Sequence, residues 1–369
     1  MINVLFFMER LSGGGAEKAL CNLVNSLDPS KFHITVHTLW REDPSKYLKP
    51  SVCYRFCYHR ESMINRVRYR LEAKLGSVYR NHLKGDYQIE VAYMECGATK
   101  ILSASTNQNA GKIAWVHCDL KYKMPDPQAF VKKTADWYRR FDKIICVSED
   151  VKRSFDQMFP DEREKTIVLH NTVPWKSFRL LAAQTPSGMC SKKRLTVVSA
   201  GRLCWQKGYD RLLRVDQLLT SEGCGFDLWI LGEGEQRAEL ENYIRENGLG
   251  DSVRLLGFQE NPYPYLQAAD VLVCSSRYEG FSTFITEGLV LGKAIVSTDC
   301  TGVREQLGQS EYGLVVENTE AALSEGIRRM VTDSDLRSCY EKKSLERGNT
   351  FSEEMTTERV EALFMSCMR

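Results

Sequence analysis

Two doubly wound α/β domains, each built on a Rossmann-like parallel sheet, are the fold class this sequence predicts. Three observations lead there. The apolar runs are short and continuous rather than alternating, as in strands buried on both faces. They are separated by longer stretches of helical periodicity. The alternation occurs twice, on either side of an aperiodic stretch, His170–Arg194, that holds Asn171, Pro174, Pro186, Gly188 and a run of cations from Lys192 to Arg194.

In chain order, the first half places strands at Asn3–Met8, Phe32–Leu39, Ser51–Cys57, Ile89–Met94, Lys112–Val116, Lys143–Val147 and Ile167–Leu169. The second half offers Leu195–Ala200, Asp227–Leu231, Val253–Leu256, Val271–Cys274, Ala294–Ser297 and Gly313–Val316. Helical patterns intervene, among them Gly208–Thr220, Glu235–Asn247 and Thr319–Thr332. The expected division is a first domain over 1–180, a second over 181–350, and a helix over 351–369 that packs back on the first domain. Open α/β sheets bind ligands beyond the carboxyl ends of their strands, so two such domains are expected to face each other across one cleft.

Composition excludes several classes. The chain has 369 residues, and its formal net charge of +2 gives no global field that would steer it to nucleic acid. No stretch approaches the roughly 18–20 apolar residues of a spanning helix. The segment Met1–Gly15 lacks a basic leader and turns at once into a strand, so it does not read as a signal peptide. Thirteen cysteines are scattered singly with no CxxC spacing, which points to reduced thiols in the cytoplasm.

The chemistry-bearing residues cluster at predicted strand ends. Gly13, Gly14 and Gly15 follow the first strand and precede a helix beginning near Ala16. Their backbone N–H groups and the helix start make a ready anion site. The loop is neither a Walker loop nor a full GxGxxG, so the motif is weak taken alone. Arg202 and Lys207 follow the first strand of the second domain, flanked by Gly201 and Gly208. A planar fork of donors beside a compact charge suits a diphosphate. In RYEGFSTFITEG, Glu279 and Glu287 bracket a helix expected to start near Ser282 or Thr283. A continuous helix would set them about 12 Å apart, beyond the roughly 5–9.5 Å of glycosidase carboxylate pairs. The N–H groups of Phe281, Ser282 and Thr283 are expected to face an anion. A carboxylate, an anion-binding helix end and a second carboxylate fit the sugar, diphosphate and ribose of a nucleotide-sugar.

Eight cations lie from Arg55 to Lys84, with only Glu61 and Glu72 acidic before Asp86. Ile64, Val67, Leu71, Leu75 and Val78 recur at spacings of three and four, which predicts one basic amphipathic helix. Such a helix either lies on an anionic membrane surface or packs its apolar stripe into the core with a solvated basic face. Gly76 weakens it by about 1 kcal/mol. A second basic cluster runs from Lys121 and Lys123 through Lys132, Lys133, Arg139 and Arg140.

Taken together, the glycine loop Gly13–Gly15, the GRL…QKG run with Arg202 and Lys207, the LGEGE turn at Leu231–Glu235 and the E-x7-E pair Glu279/Glu287 resemble the retaining glycosyltransferases of family 4, which have the GT-B fold. The resemblance covers nearly the whole chain and extends to Cys146–Glu149 and His170–Asn171. It implies a hexosyltransferase with a nucleotide-sugar donor, UDP being the common base. Arg202 and Lys207 would stabilise the leaving diphosphate, with Gly14 or Gly15 meeting it from the other lobe. Glu279 would lie near the donor sugar, and Glu287 would hold the ribose. His117, just after the fifth strand, would orient the donor sugar by hydrogen bonding and join Glu279 as a catalytic group. No cofactor or metal is required, because cations and helix ends already neutralise the diphosphate. The implied acceptor is a glycan or polyprenyl-linked glycan of cell-surface polysaccharide, met by a cytoplasmic protein peripheral to the inner face of the membrane. Two alternatives stay open: a sugar-nucleotide epimerase of the same fold, and a non-catalytic nucleotide-sugar binding protein.

Overall fold

The computed structural model describes residues 1–11, 14–185 and 194–369. It divides into two compact units, Met1–Thr172 with Glu353–Arg369, and Val173–Ser352.

Unit one runs β1 (Ile2–Met8), α1 (Gly15–Ser26), β2 (Phe32–Trp40), β3 (Cys53–Tyr58), α2 (Met63–Lys74), α3 (Val78–His82), β4 (Ile89–Ala92), α4 (Gly97–Ser103), β5 (Gly111–Val116), α5 (Leu120–Lys123), α6 (Pro127–Tyr138), β6 (Lys143–Cys146), α7 (Glu149–Met158) and β7 (Thr166–Val168). The sheet order is β3-β2-β1-β4-β5-β6-β7, and every pairing is parallel. Val4 to Met8 and all of β4 and β5 are buried, which is why Val4–Met8 and Ile113–Val116 are apolar at consecutive positions, with Glu90 of β4 and Lys112 of β5 as buried charged exceptions.

Unit two runs α8 (Trp175–Ala182), β8 (Thr196–Ala200), α9 (Tyr209–Ser221), β9 (Asp227–Leu231), α10 (Arg237–Glu246), β10 (Val253–Gly257), α11 (Tyr263–Ala268), β11 (Val271–Cys274), α12 (Thr283–Val290), β12 (Ala294–Thr298), α13 (Val303–Leu307), β13 (Leu314–Val316), α14 (Glu320–Thr332) and α15 (Ser334–Gly348). Its sheet is also fully parallel, in the order β10-β9-β8-β11-β12-β13. Successive side chains of one strand enter opposite cores: Val197, Val271 and Val296 on one face, Val198, Leu272 and Ile295 on the other.

In both sheets the chain winds outward from the middle in two directions. The reversal falls between β1 and β4 in unit one and between β8 and β11 in unit two. Those two crevices are where the fold places a ligand.

Two elements differ from expectation. The aperiodic stretch before β8 contains α8, tied to unit two by the stacking of Phe178 on Tyr263 at 4.5 Å; Pro186–Lys193 lie outside the described residues. The basic segment is two helices, not one. Gly76 takes a left-handed φ of +65° and ends α2, so Val78 leaves the stripe and is buried in α3. The last helix, α16 (Glu353–Cys367), joins unit one, where Phe364 meets Phe6 and Phe32 edge-on at 5.9 and 5.8 Å.

Candidate active site

The crevice between β8 and β11 in unit two is built from the two loops that leave those strands. After β8 the chain runs through Gly201, Arg202 and Leu203 to a single 3-10 turn at Trp205–Lys207. The LGEGE turn after β9 is stitched to it. Gly201 N–H donates to the Leu231 carbonyl and Leu203 N–H to that of Glu233, each at 2.9 Å. A Cβ on Gly232 would stand 2.0 Å from the Gly201 carbonyl oxygen, and one on Gly234 2.3 Å from that of Leu203. The two glycines of LGEGE are therefore required by close approach of two backbones.

Gly208 links this turn to α9. Its φ is +67°, and a Cβ would lie 2.3 Å from the Ser275 carbonyl oxygen. The missing side chain lets the loop before α9 touch the loop after β11. There the Lys207 ammonium donates to Glu279 Oε1 at 2.6 Å, and Ser276 Oγ donates to the same oxygen at 2.6 Å. Both donors fall on Oε1, and Glu279 lines a small cavity with Lys207, Ser276, Ser199, Tyr209 and Phe284. The Glu279 side chain is 8% exposed and that of Lys207 22%. Burial works against the charge on Lys207, but the adjoining carboxylate outweighs it and raises the ammonium pKa above its usual value. Arg202 is exposed on the same loop as Lys207.

Sequence reasoning missed the residue that braces the loop. Arg211, on the first turn of α9, is buried and donates through Nε and Nη2 to the Ser275 carbonyl at 2.9 and 2.6 Å, and through Nη2 to that of Ser276 at 2.8 Å. An arginine one residue before the buried pair Leu212 and Leu213 was the available signal. Arg277 adds a second brace, with a two-pronged ion pair to Asp210 at 2.8 and 2.7 Å.

The helix end after Glu279 is arranged differently from expectation. Helix α12 begins at Thr283, so the path from Glu279 to Glu287 is only partly helical and the 12 Å rise of a continuous helix does not apply. The Ser282 N–H does not face a ligand. It donates to Gln306 Oε1 at 3.0 Å, while Gln306 Nε2 returns bonds to the Ser282 carbonyl and to Thr286 Oγ1 at 2.8 and 2.7 Å. Gln306 is fully buried and needs those partners. Thr283 is half-buried at the first position of the helix, and Phe281 is buried. Glu287 is buried one turn further along and accepts from the Tyr263 hydroxyl at 3.4 Å.

Unit one brings a second polar group to its strand ends. Of the glycine loop, Gly13 lies outside the described residues. Gly14 precedes α1 with an ordinary φ of −72°, and Gly15 is its first residue. No backbone strain demands glycine at Gly14. The loop's neighbours are acidic: Leu11 N–H donates to Glu42 Oε2 at 2.5 Å, and Glu17 is buried in the first turn of α1.

His117 follows β5, with its ring 4.7 Å from that of Tyr93 and stacked beside Trp115. Its backbone N–H donates to Glu95 Oε2 at 3.0 Å. Glu95 is a buried hub that sequence reasoning also missed. Its Oε1 accepts from Lys123 Nζ at 2.6 Å and from the Cys118 thiol at 3.1 Å. Lys123 is therefore spent on Glu95 rather than adding to the second basic cluster. Burial opposes the Glu95 charge, yet Lys123 and the bond from His117 N–H hold the carboxyl down at about 2. Burial pushes the His117 imidazole down to about 4, so it is neutral near pH 7. Its Nε2 is buried without a hydrogen-bond partner among the described residues.

With this geometry in place, comparison with known proteins is informative. Residues 187–347 match the model of the family described as glycosyl transferases group 1. The N-acetylgalactosamine-N,N'-diacetylbacillosaminyl-diphospho-undecaprenol 4-alpha-N-acetylgalactosaminyltransferase of Campylobacter jejuni is 32% identical over 216 residues, 58% of this chain and 57% of that one. The lipopolysaccharide core biosynthesis glycosyltransferase LpsE of Rhizobium meliloti is 34% identical over 142 residues, 38% of this chain and 41% of that one. The chain thus spans less than two thirds of the length of either relative. The solved structure of Anabaena Alr3699/HepE in complex with UDP-glucose superposes with a TM-score of 0.80 over 99% of this chain and 100% of that one, at 18% identity, which is a likeness of fold. The Lys207–Glu279 crevice lies inside the matched residues, so it is the second unit that is similar to the glycosyl transferases group 1, while the two Rossmann-like units have the GT-B fold.

Proposed function

We propose that this protein is a retaining glycosyltransferase that moves a hexosyl group from a nucleotide-sugar, UDP-linked first of all, to a glycan or lipid-linked glycan in cell-surface polysaccharide biosynthesis. One observation carries the reading: the Lys207–Glu279 pair stands at the strand-order reversal of a unit that matches a glycosyltransferase family. Lys207 has three ammonium protons, of which Glu279 takes one, so two remain for the oxygens of a leaving diphosphate. Arg202 offers a fork beside it. These cations, rather than a metal ion, are assigned the compensation of the developing phosphate charge. Glu279 presents Oε2 to a hydroxyl of the donor sugar. Its Oε1 is already engaged by Lys207 and Ser276, so its work is orientation and charge stabilisation rather than proton abstraction.

Thr283 and Phe281 stay assigned to the donor, and Glu287 to its ribose. Ser282 is assigned to building the helix end through Gln306. His117 offers an unpartnered, neutral Nε2, which suits acceptance of a hydroxyl hydrogen bond. Gly14 and Gly15 keep the diphosphate role that the resemblance implies. The partners are a nucleotide-sugar, a glycan or polyprenyl-linked acceptor, and the anionic membrane surface at which such an acceptor is met; no nucleic acid is involved.

A donor screen tests the reading. UDP-, GDP- and ADP-sugars are mixed with the purified protein without acceptor, and slow nucleotide release is followed with and without EDTA. Release from one donor that survives EDTA and is lost in Glu279→Ala and Arg202→Ala is expected. Silence from every donor, with no thermal stabilisation by any free nucleotide, would overturn it.

A further inference from the structure

Helix α2 is inside out. Met63, Ile64, Val67, Leu71 and Leu75 fall within an arc of about 120° at 100° per residue, and all five are exposed, Ile64 at 79% and Leu75 at 78%. A surface helix ordinarily turns such a stripe to the core. Here the opposite face does the packing, and it is polar. Glu72, 9% exposed, accepts from the Tyr58 hydroxyl at 2.9 Å and from Arg68 Nε at 2.8 Å, and lies 2.7 Å from His82 Nε2. Tyr69 leans edge-on against Trp40 and Tyr58. The clasp on Glu72 fixes the rotation of the helix, and that rotation puts the apolar stripe outside. A contiguous exposed patch of this kind marks a surface that something covers.

The charges around the stripe say what. Arg60, Arg70 and Lys74 are exposed and have no carboxylate partner among the described residues. Arg66 and Arg68 flank them, paired to Glu61 and Glu72. The acidic residues of the segment are thus already engaged, and the outer face is basic. Two copies of this face brought together would set arginine against arginine, which disfavours self-pairing. An apolar stripe edged by Arg70, with Arg60 ahead of the helix and the long Lys74 side chain rising from the stripe's last turn, is instead complementary to an anionic lipid surface, with phosphates on the cations and acyl chains under the stripe.

We propose that α2 is an in-plane membrane anchor, with Ile64, Val67, Leu71 and Leu75 inserted below the headgroups of anionic lipid and Arg60, Arg70 and Lys74 on the phosphates. The inference rests on the membrane partner named above and supplies its docking surface. Vesicle binding needs neither donor nor acceptor, so its failure leaves the transferase chemistry standing.

The test is co-sedimentation with vesicles of phosphatidylglycerol and phosphatidylcholine against phosphatidylcholine alone, using the whole chain. Two variants are compared: Ile64→Ser with Val67→Ser, Leu71→Ser and Leu75→Ser, and Arg60→Glu with Arg70→Glu. All changes are at exposed positions, and thermal unfolding of each variant checks that it remains folded. The wild type is expected to bind the anionic vesicles only, and each variant to bind about tenfold more weakly or worse. An Ile64→Trp variant should gain fluorescence quenched by bromine-labelled acyl chains. Failure of the wild type to bind, or wild-type binding by the serine variant, would overturn the proposal. So would a dimer that the serine variant abolishes without any vesicle binding, since the stripe would then be an interface between copies.

Discussion

Lys207 Nζ and Glu279 Oε1 stand 2.6 Å apart across the crevice where the strand order of unit two reverses, one from the loop after β8 and the other from the loop after β11. The pair joins the two loops, so each partner should affect both stability and donor binding. Glu279→Ala leaves the ammonium without its partner. Because Lys207 keeps some access to water, the expected loss is about 2–3 kcal/mol, below that of a fully buried pair. Lys207→Ala should lower kcat/KM for the donor about a hundredfold or more, as loss of a charge-stabilising donor does elsewhere. Urea unfolding and steady-state kinetics separate the two effects. Normal kinetics in Lys207→Ala would remove it from the site.

Gly208→Ala is expected to be more disruptive than its size suggests. The new methyl would need a left-handed backbone and would stand 2.3 Å from the Ser275 carbonyl, which Arg211 holds in place. Neither side can yield cheaply. The expected destabilisation is about 2–4 kcal/mol, with weaker thermal stabilisation by UDP because the two loops no longer meet. Gly223→Ala is the control. It also has a positive φ, of +81°, but a Cβ there meets nothing within 4 Å, so it should show the backbone cost alone.

The sheet residues were legible in the sequence because a strand buried on both faces must be apolar at consecutive positions, and β1, β5 and β11 are. Arg202, Lys207, Glu279 and Glu287 were legible because charge at a strand end is easy to see. What holds them was not. Arg211 and Gln306 act through carbonyls far away in sequence, and nothing local distinguishes them from solvated polar side chains. The Ser282 N–H was assigned to an anion because a helix start alone says nothing of a glutamine from α13. For α2, periodicity showed a stripe but not its direction. That was decided by the bonds Glu72 makes to Tyr58 and to His82 of α3.

Glu95 should prove the most sensitive position of unit one. Replacing it with Gln removes the anion that Lys123 needs and weakens the bond to His117 N–H, while the volume stays the same. Stability is expected to fall by about 2–4 kcal/mol. His117→Gln, with the hub intact, should unfold near the wild-type midpoint at pH 7 yet release nucleotide more slowly. If Glu95 matters only to folding, Glu95→Asp will recover stability and leave the KM for donor unchanged. If it also positions His117, Glu95→Asp will recover stability but not kcat.

The buried histidines set how stability depends on pH. His117 and His37 are each pushed down by burial to about 4, from an ordinary value of 6.5. Between these values the unfolded chain binds protons that the folded chain refuses. Stability from both is therefore complete above about pH 6.5 and is lost as the pH falls to 4. Asp216 works the other way: burial raises it to about 6, so the folded state is the first to take its proton, and stability gains as the pH falls from 6 toward 3.8. Glu95, held at about 2, keeps its contribution down to about pH 4.5 and loses it only below that. Glu9, Glu42 and Glu90, also raised by burial, gain stability on acidification as Asp216 does, so the share lost to His117 between pH 7 and pH 4.5 is read from the difference between wild type and variant. Urea midpoints at those two pH values check it, and His117→Gln should lose less on acidification than the wild type. An equal loss in His117→Gln would mean that the wild-type imidazole already carries its proton in the fold.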